Sequence, residues 1–371
     1  MSLFQQEIAA LQTATEQRAM FNQAREQAAF SKLVAAFPAI RRQVPLKPYC
    51  NFAVGGQAAL FYEVTSESEL MRLYRFLRTE QLNLPIVLLG QGCNLLLSDN
   101  GVNALVIYLG ARFAKTALSP DYRTWDYPYI EEIQRHEALQ GKEHLSEEEW
   151  QSYALIHVQA GQTLKRTVQL AAQNSYSGLE FACGIPGTVG GTTYMNAGAY
   201  GGTVADCLLG VRYLSPDCNI IELRPGYLDL QYRSSYFMSP AMQGAVILGV
   251  TYLVQKANKQ DIAAVIKDLT IKRESLQPLN YPSAGSIFKR PEGYYAGKLI
   301  SDAKLKGFRI GGAMVSDLHA GFIVNVATDC QSRDICRLIH KIQKTVQSLY
   351  GVTLATEVRY IGDFTEQDFE D

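Results

Sequence analysis

The run Gly184-Ile-Pro-Gly-Thr-Val-Gly-Gly-Thr-Thr-Tyr-Met-Asn-Ala-Gly-Ala-Tyr-Gly-Gly202 carries seven glycines in nineteen residues. Average usage, about 7%, predicts one or two. Glycine loses more backbone entropy on folding than any other residue, so this density needs a physical reason. The useful one is access: without Cβ atoms, backbone N–H groups can close on a flat ring or a pyrophosphate. Asn196 and Tyr200 are expected to add polar and aromatic handles to the same surface. A set of tight turns is the alternative reading.

Working outward, 371 residues exceed one ordinary core and predict two or three domains. The chain is 47% hydrophobic and 19% charged, with net charge −1, which offers no electrostatic footprint for nucleic acid or an anionic membrane. No apolar run reaches the roughly eighteen residues of a membrane span, and the first residues lack the pattern of a signal peptide. The seven cysteines are odd in number and form no Cys-x-x-Cys pair. They predict reduced thiols in a cytoplasmic protein, and the five scattered histidines predict no metal site.

Residues 1–36 lack Gly and Pro and read as a helical extension, ending at Phe37-Pro38. Ala59 to Val64 reads as a strand and Ser66 to Thr79 as a capped helix. Ile86 to Leu89 reads as a buried strand entering Gly90-Gln-Gly-Cys-Asn-Leu95, and Ala104 to Leu109 as another. Residues 112–152 look like a polar insertion with short helices of its own. Strands are expected at Ala154 to Ala160, Val211 to Leu214, Ile220 to Leu223 and Val246 to Val254, and helices at Thr163 to Asn174, Asp261 to Glu274 and Ser332 to Tyr350. The fold class that results is α+β.

Four clusters could carry chemistry. Gly90-x-Gly is only a partial dinucleotide fingerprint, because no third glycine stands near Leu95. Gln231-Tyr-Arg-Ser-Ser-Tyr-Phe237 holds Arg233, whose guanidinium suits a carboxylate, with a surface ion pair as the alternative. Tyr281-Pro-Ser-Ala-Gly-Ser-Ile-Phe-Lys289 presents Ser286, either a proton donor to a carbanion or a turn serine bonded to its own backbone. Ala355-Thr-Glu-Val-Arg-Tyr360 reads as a strand with Glu357 and Arg359 on one face, a surface pair by default.

Their order is more telling than any one of them. Ile185-Pro-Gly-Thr-Val-Gly-Gly, Met195-Asn-Ala-Gly-Ala-Tyr-Gly, Tyr232-Arg-Ser-Ser-Tyr-Phe and Pro282-Ser-Ala-Gly-Ser-Ile-Phe-Lys follow one another. Ala296-Gly-Lys-Leu-Ile, Leu305-Lys-Gly-Phe-Arg-Ile-Gly-Gly and Thr356-Glu-Val-Arg complete the series. Together, over roughly residues 44–362 without the insertion, the chain resembles the UDP-N-acetylenolpyruvoylglucosamine reductase (MurB) family, flavoenzymes of peptidoglycan precursor synthesis.

The resemblance implies a three-domain flavoprotein with a vanillyl-alcohol-oxidase-like FAD-binding region and a C-terminal substrate-binding domain. The implied units are 1–36 as an extension, 37–111 and 112–255 for FAD with a return at 358–371, and 256–357 for substrate. FAD and NADPH are the implied cofactors, and a UDP-sugar the small-molecule partner. Gly90, Gln91, Gly92, Cys93, Asn94 and Leu95 would cradle the pyrophosphate. Gly184, Pro186, Gly187, Gly190, Gly191, Asn196, Ala197 and Gly198 would line the isoalloxazine. Arg233, Ser286 and Glu357 match the catalytic positions, and Tyr200, Arg273, Gln277 and Lys289 would meet the UDP-sugar. Hydride passes from NADPH through the flavin to C3 of an enolpyruvyl ether, and Ser286 protonates C2.

The chain departs from the family at Cys93, often serine, and at Arg290, often asparagine. Only 35 residues separate Phe237 from Arg273, as in the shorter variant that lacks a tyrosine loop. A flavin oxidase of the same superfamily and a catalytically silent sensor are the competing classes. No histidine lies near Gly90 or in the glycine run to tether a flavin, against the first. Retention of all three polar catalytic positions stands against the second.

Overall fold

The computed structural model describes residues 27–139 and 144–370; the rest of the expected 1–36 extension lies outside them. Helix 27–36 leads into a four-stranded sheet of order Arg41–Pro45, Gln57–Glu63, Val102–Tyr108, Ile86–Leu89. The first pair is antiparallel and the other two are parallel. The helix Glu67–Thr79 joins two of these strands. Ser66 caps it, its side chain accepting from Glu69 N at 3.2 Å.

Its two central strands, Gln57–Glu63 and Val102–Tyr108, are buried on both faces, which is why they read as near-continuous apolar runs rather than as alternation. Leu60, Tyr62, Leu105 and Ile107 pack into one core, shared with helix 27–36 and the larger sheet. Phe61, Ala104 and Val106 pack into a second core, shared with the C-terminal helix Ser332–Tyr350.

The larger sheet is antiparallel, in the order Ile220–Leu223, Leu208–Leu214, Val246–Lys256, Tyr153–Gln159, Thr116–Ser119. Tyr176–Ser177 pairs with the end of Val246–Lys256. Thr116–Ser119 corrects the reading of 112–152 as wholly inserted, because it is an edge strand of this sheet. Its alternation is too short to register in a polar context. The helices Tyr127–Leu139 and Glu147–Ser152 follow it, and Trp125, Tyr129, Ile133 and Trp150 form a small separate core against Leu155 and Leu209.

The C-terminal region contains the helices Lys259–Leu276, Ala296–Asp302 and Ser332–Tyr350 and a three-stranded meander, Arg309–Ile310, Ala313–Val315, Ile323–Asn325. Arg359–Ile361 then pairs in parallel with Leu95–Leu97. The returning segment therefore joins the 37–111 region rather than 112–255. Among the described residues no helix is long and apolar enough to cross a membrane.

Candidate active site

A cleft of about 550 Å³ opens between these elements, within the ordinary range of small-molecule sites. One wall begins where the parallel strand Ile86–Leu89 ends, the usual position for ligands of such sheets. Gly90 to Leu95 line it. Among the described residues, the backbone N–H groups of Gly90, Gln91, Gly92, Cys93 and Asn94 have no acceptor. Five consecutive free donors form a nest suited to an anion such as pyrophosphate.

The second wall is the glycine run. Thr188 caps the short helix Val189–Tyr194, accepting from Gly191 N at 3.3 Å. The two walls touch closely. A Cβ on Gly90 would lie 2.4 Å from Thr188 Oγ1, so only glycine fits there. The Gln91 side chain bridges the walls by accepting from Gly187 N at 3.0 Å, which commits it to loop–loop contact. A Cβ on Gly92 would meet Tyr49 O at 2.1 Å, and its φ is +62°. Pro186, Gly187, Gly190, Gly191, Ala197 and Gly198 line the cleft.

Two expectations for this wall are corrected. Asn196 is buried, with Nδ2 donating to Gln231 O at 3.1 Å and Oδ1 accepting from Ala205 N at 3.0 Å. Nδ2 ties the wall to the turn that carries Arg233 and Oδ1 ties it to the 204–206 turn, and the residue lies outside the cleft lining. Gly184 lies behind the lining, where a Cβ would stand 2.4 Å from Arg273 Cδ. Its missing side chain seats Arg273, which does line the cleft with Gln277. Gln277 Oε1 is buried without a partner. Tyr200 and Lys289 are exposed and outside the lining.

Arg233 occupies a tight turn closed by Gln231 and Ser234, with φ +55°, a strained conformation for a non-glycine residue. Its Nε lies 2.7 Å from Glu357 Oε1. This is a close charge pair rather than an aligned hydrogen bond, because the buried Nε–H has no acceptor in line. Nη1 reaches Gly198 O at 3.4 Å. Burial pushes the Glu357 carboxyl above its usual range, while the Arg233 charge and the more distant Lys289 charge pull it back.

Glu357 does not form a surface pair with Arg359. The strand starts only at Arg359, and Glu357 is held by its N–H donating to Ile287 O at 2.7 Å. Asn94 Nδ2 donates to Glu357 O at 3.0 Å, so the nest and the carboxylate share one support. Ser286 stands beside Ile287, pairs with Phe322, and lines the cleft. Among the described residues nothing accepts from or donates to its hydroxyl, which removes the self-bonded turn reading.

Sequence reasoning read Arg359 only as a surface partner of Glu357 and gave Tyr194 no role. Both line the cleft, with the guanidinium bonded to the Tyr194 hydroxyl and lying 4.9 Å from its ring centre. Arg359 was legible as a charge two residues from Glu357, but its partner was not. Arg233, Arg273 and Arg359 face Glu357 as the one acidic residue of the lining, so the cleft favours anions. Cys93 is a cleft thiol that burial pushes up to about 12, and it stays protonated at neutral pH.

A family model described as UDP-N-acetylenolpyruvoylglucosamine reductase, C-terminal domain, matches residues 277–361. One described as FAD binding domain matches residues 139–224. The reductase of that name from Lachnoclostridium phytofermentans is 38% identical over 319 residues, covering 86% of this chain and 92% of the relative. The chain belongs to the UDP-N-acetylenolpyruvoylglucosamine reductase family. The family member from Oceanobacillus iheyensis is 39% identical over 310 residues, 84% of this chain and 88% of its own. The solved reductase of Thermus caldophilus superposes with a TM-score of 0.65 at 32% identity, covering 87% of this chain and 99% of its own. As a member of this reductase family the chain is an FAD-dependent oxidoreductase of α+β architecture. The free amides at Gly90 to Asn94, the glycine wall and the cationic lining fit that cofactor.

Proposed function

We propose that this chain reduces UDP-N-acetylglucosamine enolpyruvate to UDP-N-acetylmuramate at the expense of NADPH, with Arg233, Glu357 and Ser286 as its catalytic groups. FAD bound in the cleft supplies the two-electron relay between NADPH and the enolpyruvyl double bond. Gly90 to Asn94 would hold the pyrophosphate through their amides, and the glycine wall would lie against the ring.

Hydride arrival at C3 of the enolpyruvyl group leaves negative charge at C2, spread into the adjacent carboxylate. Arg233 stabilises that charge, and its Nε–H, unaligned with Glu357, is available to do so. Glu357 restrains the guanidinium. A bare carboxylate would repel the developing enolate, so the upward push on its pKa favours a shared or held proton. The Ser286 hydroxyl, free of internal partners, donates its proton to C2, and the cationic lining offsets the transient alkoxide. Arg273 and Gln277 would meet the substrate from the far wall, with Tyr200 and Lys289 at its approach.

The observation that carries the reading is convergence. Three polar groups from distant segments meet in one cleft beside a nest of free amides. The test is anaerobic. The flavin of the purified protein is bleached with NADPH, and UDP-N-acetylglucosamine enolpyruvate is then added. Rapid return of the oxidised spectrum is the expected result. A flavin that stays reduced until air enters would overturn the reading in favour of an oxidase.

A further inference from the structure

His319 lies outside the cleft lining, yet it holds the turn on which Ser286 depends. Its Nδ1 accepts from Gly321 N at 3.1 Å. The carbonyl of Gly321 accepts from Ile287 N at 2.9 Å, and Phe322 pairs with Ser286 as an isolated antiparallel bridge. The ring of His319 meets the ring of Phe322 edge-on, 4.8 Å between centres and 68° between planes. Phe322 itself lines the cleft beside Ser286.

The rest of the turn is fixed in the same sense. Ser316 Oγ accepts from Leu318 N and His319 N, both at 3.2 Å. Phe322 N donates to His319 O, and Ser316 N to Phe322 O, each at 2.9 Å. A Cβ on Gly321 would lie 2.9 Å from His319 Cε1, so the imidazole approaches as closely as glycine permits.

We propose that His319 is a positioning residue for Ser286, acting through the Gly321 N–H as a hydrogen-bond acceptor that sets the 319–322 turn. An imidazole nitrogen accepts only when it carries no proton, so this contact places the ring proton on Nε2. Burial and the Lys306 charge both push the ring below its ordinary pKa, which keeps the acceptor available at neutral pH. Without the acceptor, Gly321 N–H has no partner and its peptide is free to rotate. That peptide is joined at the Gly321 Cα to the Gly321–Phe322 peptide, whose carbonyl holds Ile287, so the loosened turn lets that carbonyl shift and the Ser286 hydroxyl loses its fixed distance from C2. A misplacement of about 1 Å in a reacting group costs about 10²-fold.

The inference rests on Ser286 as the proton donor, so the test carries that variant as a reference. Anaerobic half-reactions are measured for the wild type, Ser286→Ala, His319→Leu and His319→Asn. Leucine keeps apolar bulk beside Phe322 and lacks the acceptor; asparagine Oδ1 accepts near the position of Nδ1. His319→Leu should reduce flavin with NADPH at the wild-type rate. Its limiting rate with enolpyruvyl substrate should fall about tenfold or more, with half-saturation nearly unchanged. His319→Asn should recover most of that rate, and amide exchange across 286–289 should rise in the leucine variant alone. Equal slowing of both half-reactions, or no recovery with asparagine, overturns the inference. If Ser286→Ala is also fast, the proton-donor reading fails first and takes the inference with it. If only Ser286→Ala is slow and His319→Leu is not, the inference fails alone.

Discussion

Gly90→Ala tests the reason given for the two glycine segments. The added Cβ would fall 2.4 Å from Thr188 Oγ1, 3.2 Å from its Cγ2 and 3.3 Å from its Cβ. Turning χ1 to bring Hβ toward the methyl would take Oγ1 off the Gly191 amide, so in the capping rotamer the contact stands. The methyl must push the segments apart, at about 1–3 kcal/mol for an overpacked contact. Thr188 also caps the helix Val189–Tyr194, and displacing that cap costs about 1 kcal/mol more. The single variant should lose about 2–4 kcal/mol in all. Thr188→Ala alone should lose only the cap, about 1 kcal/mol. In the double variant the methyl faces no Oγ1 or Cγ2, so its loss should fall back toward that of Thr188→Ala. The expected coupling is about 2–4 kcal/mol, well above the few tenths seen between independent sites. Thermal unfolding of the four proteins, with and without saturating FAD, reads this directly. Each kcal/mol moves the midpoint by about 2–4 °C in chains of 150–250 residues and by less in longer ones. FAD retained after gel filtration should drop in Gly90→Ala and recover in the double variant. Additive losses, or an unchanged midpoint in Gly90→Ala, would refute the close-approach argument.

Other outcomes follow from the same geometry. Ser286→Ala should leave flavin bleaching by NADPH within about twofold and slow the substrate half-reaction by about 10²–10⁴, the worth of a placed general acid; equal effects on both would make Ser286 structural. Burial holds Glu357 above its ordinary 4.5, so below that value the carboxyl is protonated in both states and costs nothing. As pH rises from there through the folded pKa the unfolded chain gives up the proton more readily, and stability falls until both forms are ionised. Glu357→Gln should flatten that decline in urea titrations across pH, and Arg233→Met should carry it to higher pH; slopes unchanged in both would place the responsible charge elsewhere. Cys93, held near 12, has a thiolate fraction about 10³-fold smaller than a free cysteine and should react with iodoacetamide correspondingly slowly at pH 7. Labelling of Cys93 within minutes would contradict its burial.

Much of the fold was legible because its signals are local. Ser66 with Glu69 marked a helix start, and the apolar spacing of Ser332 to Tyr350 marked the last helix from end to end. The antiparallel pair across Ser215 to Asn219 was legible from turn chemistry and is present. Leu95–Leu97 was hidden inside a loop motif, because three residues carry no period and its partner lies at Arg359–Ile361. Thr116–Ser119 was hidden for a similar reason, as an edge strand set in polar sequence. Of the site, Arg233, Ser286, Glu357, Arg273, Gln277 and the lining glycines other than Gly244 were picked out, by residue type and by the order of the motifs. Asn196 and Gly184 were picked out too, but for the wrong contacts, since sequence does not say toward what a side chain or its absence is turned.

The sequence by itself determined the chemistry on offer. Glycine spacing set where backbone could come close, caps and periodicity set the helices, and the order of motifs set the family. These are properties of neighbouring residues, and neighbours are fixed by covalent bonds. Only the tertiary structure decided the partnerships. It put Arg233 against Glu357, left the Ser286 hydroxyl free, turned the Gly90 to Asn94 amides out of every internal bond, and closed Gly90 on Thr188. Each of these is set by how sheets with two buried faces stack and by which segments a bridge such as Phe288 with Thr356 brings side by side. Burial then shifts the Glu357 carboxyl and the Cys93 thiol, because desolvation depends on everything packed around a group and on nothing in its own stretch of chain.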